Sequence, residues 1–491
     1  MFVLRKSVVA FASALVVAFS ASVAFAQPVP TLARAPGTPF LDTSIVALKV
    51  GGWNIATPSQ GQIDGNNRSD GGRNLLTDTA SVVFLQEYAM SSPTAGVRRL
   101  DPIVMPFVAS TSGNRALTMA SNSGSEGALR RSADGQFLSM AGYNQSQPNT
   151  LITASAPTNV NDPATGQGAK FAPTVVNRVL GRVDAVGSIN TTTALTDAYN
   201  GDNIRSAVSS NGQQFWTSGN VSGGSQNATG GVRSAALGGT TSTRVAGSTS
   251  APLTTSNINK VDIYNGQLYA ASRNASNNGI WQIGTGTPTT AATPTRLFDY
   301  NALVSAALPG RSPGNTMLTN FQGPYDFFFA NDSTVYVADS ILGITKFTKN
   351  GGAWQYGYTF ARTGGLQNDG TNGQAKQAGG ATGLAGRVLS TGGVVLFGTG
   401  GFGGRLVNGS LDAYGGNYLF SLLDTGTNPL VDALADITIL DVAAANEHFK
   451  GVALAPMATT VIPVPPAVAL MLGGMGLLGA FGWKRRKPAL V

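Results

Sequence analysis

Five times between Leu129 and Phe397 the chain repeats one short pattern: an apolar run, a turn rich in Gly, Asn or Asp, and a second run of aromatic and β-branched residues. The turns centre on Asp134-Gly135, Asn211-Gly212, Asn265-Gly266, Asp332-Ser333 and Gly392-Gly393. Tight hairpin turns need positive φ, which Gly, Asn and Asp adopt at least cost. Two further strand-like runs follow each hairpin: 178–184 and 188–195, 231–237 and 240–245, 279–283 and 293–298, 343–347 and 354–360, 417–423 and 436–442. Four strands per unit, repeated at roughly 40–80 residues, is the pattern of propeller blades with loop insertions.

The flanks of this region predict how such a ring closes. Residues 449–456 read as a lone first strand, and 44–50, 80–88 and 97–105 as strands two to four. One blade stitched from both ends of the chain leaves no exposed sheet edge. The expected fold is an all-β, six-bladed β-propeller closed by N- and C-terminal strands, with a C-terminal transmembrane helix beyond it. A seventh blade is expected only if 107–123 supplies one. A pair of β-sandwiches or a right-handed β-solenoid are the alternatives, but the repeat is too long and uneven for β-helix coils.

Composition agrees. Charged residues are 11% of the 491 while Gly numbers 63, which suits short strands and tight turns. Apolar residues at 42% supply a core. The net charge of +8 looks like a nucleic-acid signal, but Arg5, Lys6, Lys484, Arg485, Arg486 and Lys487 carry six of those charges with no acid beside them. The nearly neutral body releases few counterions, so nucleic acid is not the expected partner. The chain has no cysteine, which excludes disulfides, thiolate metal sites and a Cys nucleophile.

The N-terminus reads as a secretory signal. Arg5 and Lys6 precede an apolar stretch from Val8 to Ala24, and Ala24-Phe25-Ala26 is a small-x-small cleavage site. An uncleaved anchor is the other reading. At the far end, Ile462-Pro463-Val464-Pro465-Pro466 is a stiff extended segment. Residues 467–483 then run without a charge, near the lower limit for a membrane span. Lys484, Arg485, Arg486 and Lys487 follow, and such a cluster stays cytoplasmic, which places the body outside the inner membrane. Gly473, Gly474, Gly476 and Gly479 give this helix a small-residue face suited to close packing on another helix. Segments of 1–26 (signal), 27–40 (linker), 41–456 (propeller body), 457–466 (Pro-rich linker) and 467–487 (helix and basic cluster) are expected.

This tripartite tail resembles the PEP-CTERM sorting signal of Gram-negative bacteria. Pro463, Val464 and Pro465 stand at its Pro-Glu-Pro motif, and Leu470 to Gly482 resemble its Gly/Leu-rich helix. Val464 replaces the usual Glu, which bears on cleavage more than on anchoring. The resemblance implies processing by an exosortase-like enzyme and delivery to the cell surface or exopolysaccharide matrix. The body also resembles a group of such proteins with propeller-like bodies and no assigned activity, through Ser125-Glu126-Gly127-Ala128-Leu129, the run 177–184 and Asn203-Ile204-Arg205-Ser206.

No catalytic motif stands out. His448 is the sole histidine; it makes no metal cluster by itself, and a surface or blade-edge position is expected. Glu87, Asp101, Glu126, Asp184, Asp326 and Asp339 lie in or beside predicted strands, where two could meet at glycosidase spacing in a central channel. Residues 64–72 vaguely resemble a calcium loop, but Arg68 interrupts them and the terminal Glu is missing. Gly398 to Arg405 has no Lys-Ser/Thr and is no phosphate loop. Trp53, Trp216, Trp281 and Trp354 are expected in blade cores, although exposed aromatics would stack on sugars. No catalytic residue, metal or cofactor is assigned. The expected role is structural or binding, in the envelope or on an extracellular polysaccharide. A carbohydrate-active hydrolase or lyase with carboxylates in the channel and a protein-binding periplasmic scaffold are the alternatives.

Overall fold

The computed structural model describes residues 33–51, 80–120, 123–146, 176–221, 224–248, 252–309, 323–360, 380–400, 417–426, 437–443 and 447–458. It also describes short strand segments at 312–313, 320–321, 367–368, 375–376, 406–407 and 410–411. Ala24 and Ala26, residues 64–72, Trp53, the Pro463-Val464-Pro465 motif, the helix expected at 467–483 and the Lys484–Lys487 cluster lie outside the described residues. Among the described residues no helix is long and apolar enough to cross a membrane.

Most of the described strands form six antiparallel blades, beside four short two-stranded pairs. In blade 1, Glu447–Leu454 pairs with Ile45–Gly51, which pairs with Val83–Met90; Gly96–Arg98 and Ile103–Val104 both pair with the last. Blade 2 runs Arg130–Arg131, Phe137–Tyr143, Arg178–Asp184, Ile189–Leu195. Blade 3 runs Ile204–Ser209, Gln214–Gly219, Val232–Ala236, Thr243–Ala246, and blade 4 runs Ile258–Tyr264, Gln267–Ser272, Gly279–Ile283, Pro294–Phe298. Blade 5 runs Asp326–Asn331, Thr334–Asp339, Gly343–Asn350, Ala353–Phe360, and blade 6 runs Ala381–Val388, Val394–Gly400, Tyr418–Asp424, Ile437–Val442. The first strand of each blade packs against the first strands of both neighbours, which closes the ring around an axis. Among the described residues of 107–123 no seventh blade arises; Met119–Ala120 is the strand there, paired with Ala80–Ser81.

The core is divided among the seams between blades. Val46, Leu48 and Val50 face Leu138, Met140 and Val179 of blade 2, while Ile45 and Ala47 face Phe397 and Leu419 of blade 6. Successive side chains point to opposite faces of a strand. A strand buried on both faces must therefore be apolar or pair its charge; Ile45–Gly51 is buried along its whole length, and Lys49 within it donates to Glu447 at 2.7 Å. Equivalent clusters fill the other four seams.

Turn chemistry sets the registers. Tyr264 pairs with Gln267 across Asn265 and Gly266, whose φ values are 52° and 74°, the left-handed pair a two-residue hairpin requires. One expectation needs correction. The strand expected over 97–105 is broken in two, and Pro102, which has no N–H to donate, lies in the break. An α-helix, Tyr300–Ala307, follows blade 4, with the Asp299 carboxylate accepting from the Ala302 N–H at 3.0 Å as its N-cap.

Candidate functional site: the propeller axis

The first strands carry charge into the axis. Arg130 stands at the start of blade 2 and is buried. It donates Nε to the Val261 carbonyl of blade 4 at 3.2 Å, and Nη1 to Asp326 of blade 5 at 3.2 Å and to the Leu384 carbonyl of blade 6 at 3.3 Å. Its Nη2 also pairs with Asp326, and Asp262 lies 3.6 Å from Nε. Asp326 in turn accepts the Leu384 N–H at 2.9 Å. One guanidinium thus ties four blades together.

Around this tie lie Arg205 of blade 3, Lys260 of blade 4 and Lys450 of blade 1, all buried. Arg205 is held by the side-chain oxygens of Asn203 at 2.9 Å and Asn257 at 2.8 Å, and by that of Asn259. Lys260 Nζ donates to the Ser125 carbonyl at 3.0 Å, and Lys450 Nζ to that of Ser123. Burial pushes the Lys260 amine down to about 7 and the Lys450 amine down to about 8. Glycines allow this close approach: a Cβ on Gly451 would lie 2.3 Å from the Gly127 carbonyl oxygen.

The six carboxylates singled out in the sequence do not converge. Glu87 is buried in blade 1 and bonds Arg34, Arg99 and the Leu41 N–H. Asp101 is exposed between strands. Asp184 caps a turn through the Val186 and Ser188 amides. Asp339 accepts from the Gly323, Ile341 and Leu342 amides and the Tyr300 hydroxyl. Glu126 accepts from the Tyr143 hydroxyl at 2.8 Å and the Ala120 amide at 3.2 Å; burial raises its carboxyl above the usual range. Only Glu126 and Asp326 reach the axial group. His448 is not at the surface: it is buried on the closing strand, opposite Val50. Sequence reasoning passed over the four axial cations, because they come from four blades and share no local motif.

Trp216 and Trp281 are core residues, with indole N–H groups donating to Pro288 and Asn277 carbonyls. Trp354 is half-buried in a wall shared by blades 4 and 5. Phe329 lies 5.2 Å from Tyr264, 4.6 Å from Tyr269 and 6.3 Å from Trp354, ring centre to ring centre. Both tyrosines and the tryptophan keep part of their surface in solvent.

No family model matches the chain, and no curated protein matches it. Solved structures similar to it include a GH74 enzyme of Niastella koreensis, 14% identical, covering 72% of this chain and 43% of its own, with a TM-score of 0.33. Another is the dihydro-heme d1 dehydrogenase NirN in complex with DHE, 12% identical, covering 81% of this chain and 58% of its own, with a TM-score of 0.32. The chain spans about half the length of these two structures.

Proposed function

We propose that the protein is an exported propeller, anchored or sorted by its C-terminal segment, with a binding or structural role on the cell envelope or its exopolysaccharide. The observation that carries a non-catalytic role is the state of the axial carboxylates. A glycosidase needs one carboxyl group free to donate a proton and another free to attack or to activate water. Here Asp326 and Asp262 share Arg130, and Glu126 is occupied by Tyr143 and a backbone amide. The half-exposed rings of Tyr264, Tyr269 and Trp354 support a binding role, since aromatic faces stack on sugar rings. Export and anchoring rest on Ala24, Ala26, the Pro463-Val464-Pro465 motif and the Lys484–Lys487 cluster. The test is cell fractionation with intact-mass analysis of the native protein, with and without the segment from Ile462 onward. Loss of the C-terminal helix from protein found in a surface or matrix fraction supports sorting and release. Full-length protein retained in the inner membrane would leave a simple anchor and move the search for partners to the periplasm. Hydrolysis or lysis of any polysaccharide by the purified body would overturn the non-catalytic role.

A further inference from the structure

Among the described residues, three buried cations at the axis have no directly paired carboxylate. Arg205, Lys260 and Lys450 are bonded only by neutral side-chain and backbone oxygens of Asn203, Asn257, Asn259, Ser123 and Ser125. Among the described residues no carboxylate forms an ion pair with any of them, since Asp262 and Asp326 are paired with Arg130. At longer range Glu126 acts on Lys450, and Asp202 and Glu126 act on Arg205, which Arg273 opposes. Arg130, Arg205 and Lys450 repel the charged form of Lys260, and Asp326 alone of the acids offsets this. A buried charge without a partner is costly, and an anion seated among several relieves all of them at once. The rim is reachable: Ser123, Ser125, Asn257 and Arg273 are half-buried, with Arg273 stacked 3.8 Å over the Tyr325 ring.

We propose that the end of the axis bounded by Arg205, Lys260, Lys450 and Ser125 binds the carboxylate of an acidic sugar, as a uronate-bearing polysaccharide presents it. Singly charged donors from three blades fit one carboxylate, and the uncharged Asn and Ser groups around them are partners for sugar hydroxyls. The assignment rests on the polysaccharide-binding reading above and names the ligand class.

The test is calorimetric titration of the purified full-length chain with oligoglucuronate, a neutral gluco-oligosaccharide and inorganic phosphate. The expected result is saturable binding of oligoglucuronate, none of the neutral sugar, and weaker binding of phosphate. At pH 8 binding takes up about one proton, read from the dependence of the heat on buffer ionisation, because the anion favours the charged amines. At pH 6 that uptake falls away. Lys260→Met weakens binding at least about tenfold. The proton uptake of the unaltered chain tests the site whether or not this variant folds. Equal or tighter binding of phosphate overturns the sugar assignment. Absence of both binding and proton uptake overturns the site. The two proposals fail separately: oligoglucuronate binding by a protein confined to the inner membrane leaves the site and removes the matrix role. A matrix protein that ignores oligoglucuronate does the reverse.

Discussion

Arg130 of blade 2 reaches across the axis to Asp326 of blade 5, the blade opposite it in a ring of six. Contacts between neighbouring blades fix local angles, while Arg130, which also bonds the Val261 carbonyl of blade 4 and the Leu384 carbonyl of blade 6, ties blades across the axis. Removing one partner strands the other as a buried charge. Asp326→Ala is expected to lower unfolding free energy by about 3–5 kcal/mol in urea titration. Arg130→Met combined with Asp326→Leu should recover part of that loss, because the uncompensated charge is gone. An unchanged urea midpoint for Asp326→Ala would show that the pair does not hold the ring.

The closing seam has no room for a side chain. A Cβ at position 451 would meet the Gly127 carbonyl oxygen at 2.3 Å and the Leu129 nitrogen at 2.6 Å, both backbone atoms. Blade 1 would have to move away from blade 2, in the strand that closes the ring. Gly451→Ala is expected to cost at least about 1–3 kcal/mol, the range for overpacked cores. Thermal unfolding monitored by circular dichroism checks this; a melting temperature equal to that of the parent would mean that the seam is loose.

Most of the blade order was legible because it is written locally. Asn211-Gly212 and Asn265-Gly266 mark hairpins, and the apolar run Ile45–Val50, broken only by Lys49, marks a strand buried on both faces. The closing blade followed from the same reasoning applied to the two ends. What escaped was either short or non-local. Tyr300–Ala307 has only two turns and two buried residues, too little periodicity to be recognised beside so many strands. Arg205 and Lys450 lie hundreds of residues apart, and only the ring's topology brings them to one place. Two of the phrases that marked the resemblance, Ser125 to Leu129 and Asn203 to Ser206, do carry axial residues, Glu126 and Arg205. Searching for paired carboxylates drew attention to acids that the fold uses for caps and ties.

Asp424 of blade 6 is gripped by blade 5: Tyr336 donates to it at 2.5 Å, Tyr358 at 2.7 Å and Lys346 at 2.8 Å. Burial alone would raise its carboxyl, but the bonds from Lys346, Tyr336 and Tyr358 outweigh it and hold the group below its ordinary value. A carboxyl with a depressed folded pKa stabilises the native state above its unfolded value, about 3.9, and loses that contribution as pH falls through the folded value. Tyr336→Phe removes one donor and is expected to cost about 1–3 kcal/mol at pH 7. Asp424→Asn should lose stability at pH 7 and approach the parent below about pH 3. Urea midpoints at both pH values decide this; a gap that stays constant on acidification would mean that the charge of Asp424 contributes nothing.

Lys260 gives the opposite pH dependence. Its amine titrates near 10.4 when unfolded and is pushed down to about 7 when buried at the axis, chiefly by desolvation, which Asp326 opposes and Arg130, Arg205 and Lys450 reinforce. Below pH 7 the group is charged in both states and the native state bears the full penalty. Between pH 7 and about 10 the unfolded chain holds more protons than the native one, so stability must rise with pH. Lys450, lowered to about 8, adds to the rise in the upper part of that window. The expected slope from Lys260 is on the order of 1 kcal/mol per pH unit in unfolding free energy. Lys260→Met removes the titrating group while keeping an unbranched chain of similar length, so the variant should gain on the parent at pH 6 and lose that advantage by pH 9.5. Parallel pH profiles for the two proteins would show that the amine is already neutral, or already paired, throughout the range. A native state that gained stability on acidification from pH 9 to 7 would contradict an unpaired axial lysine outright.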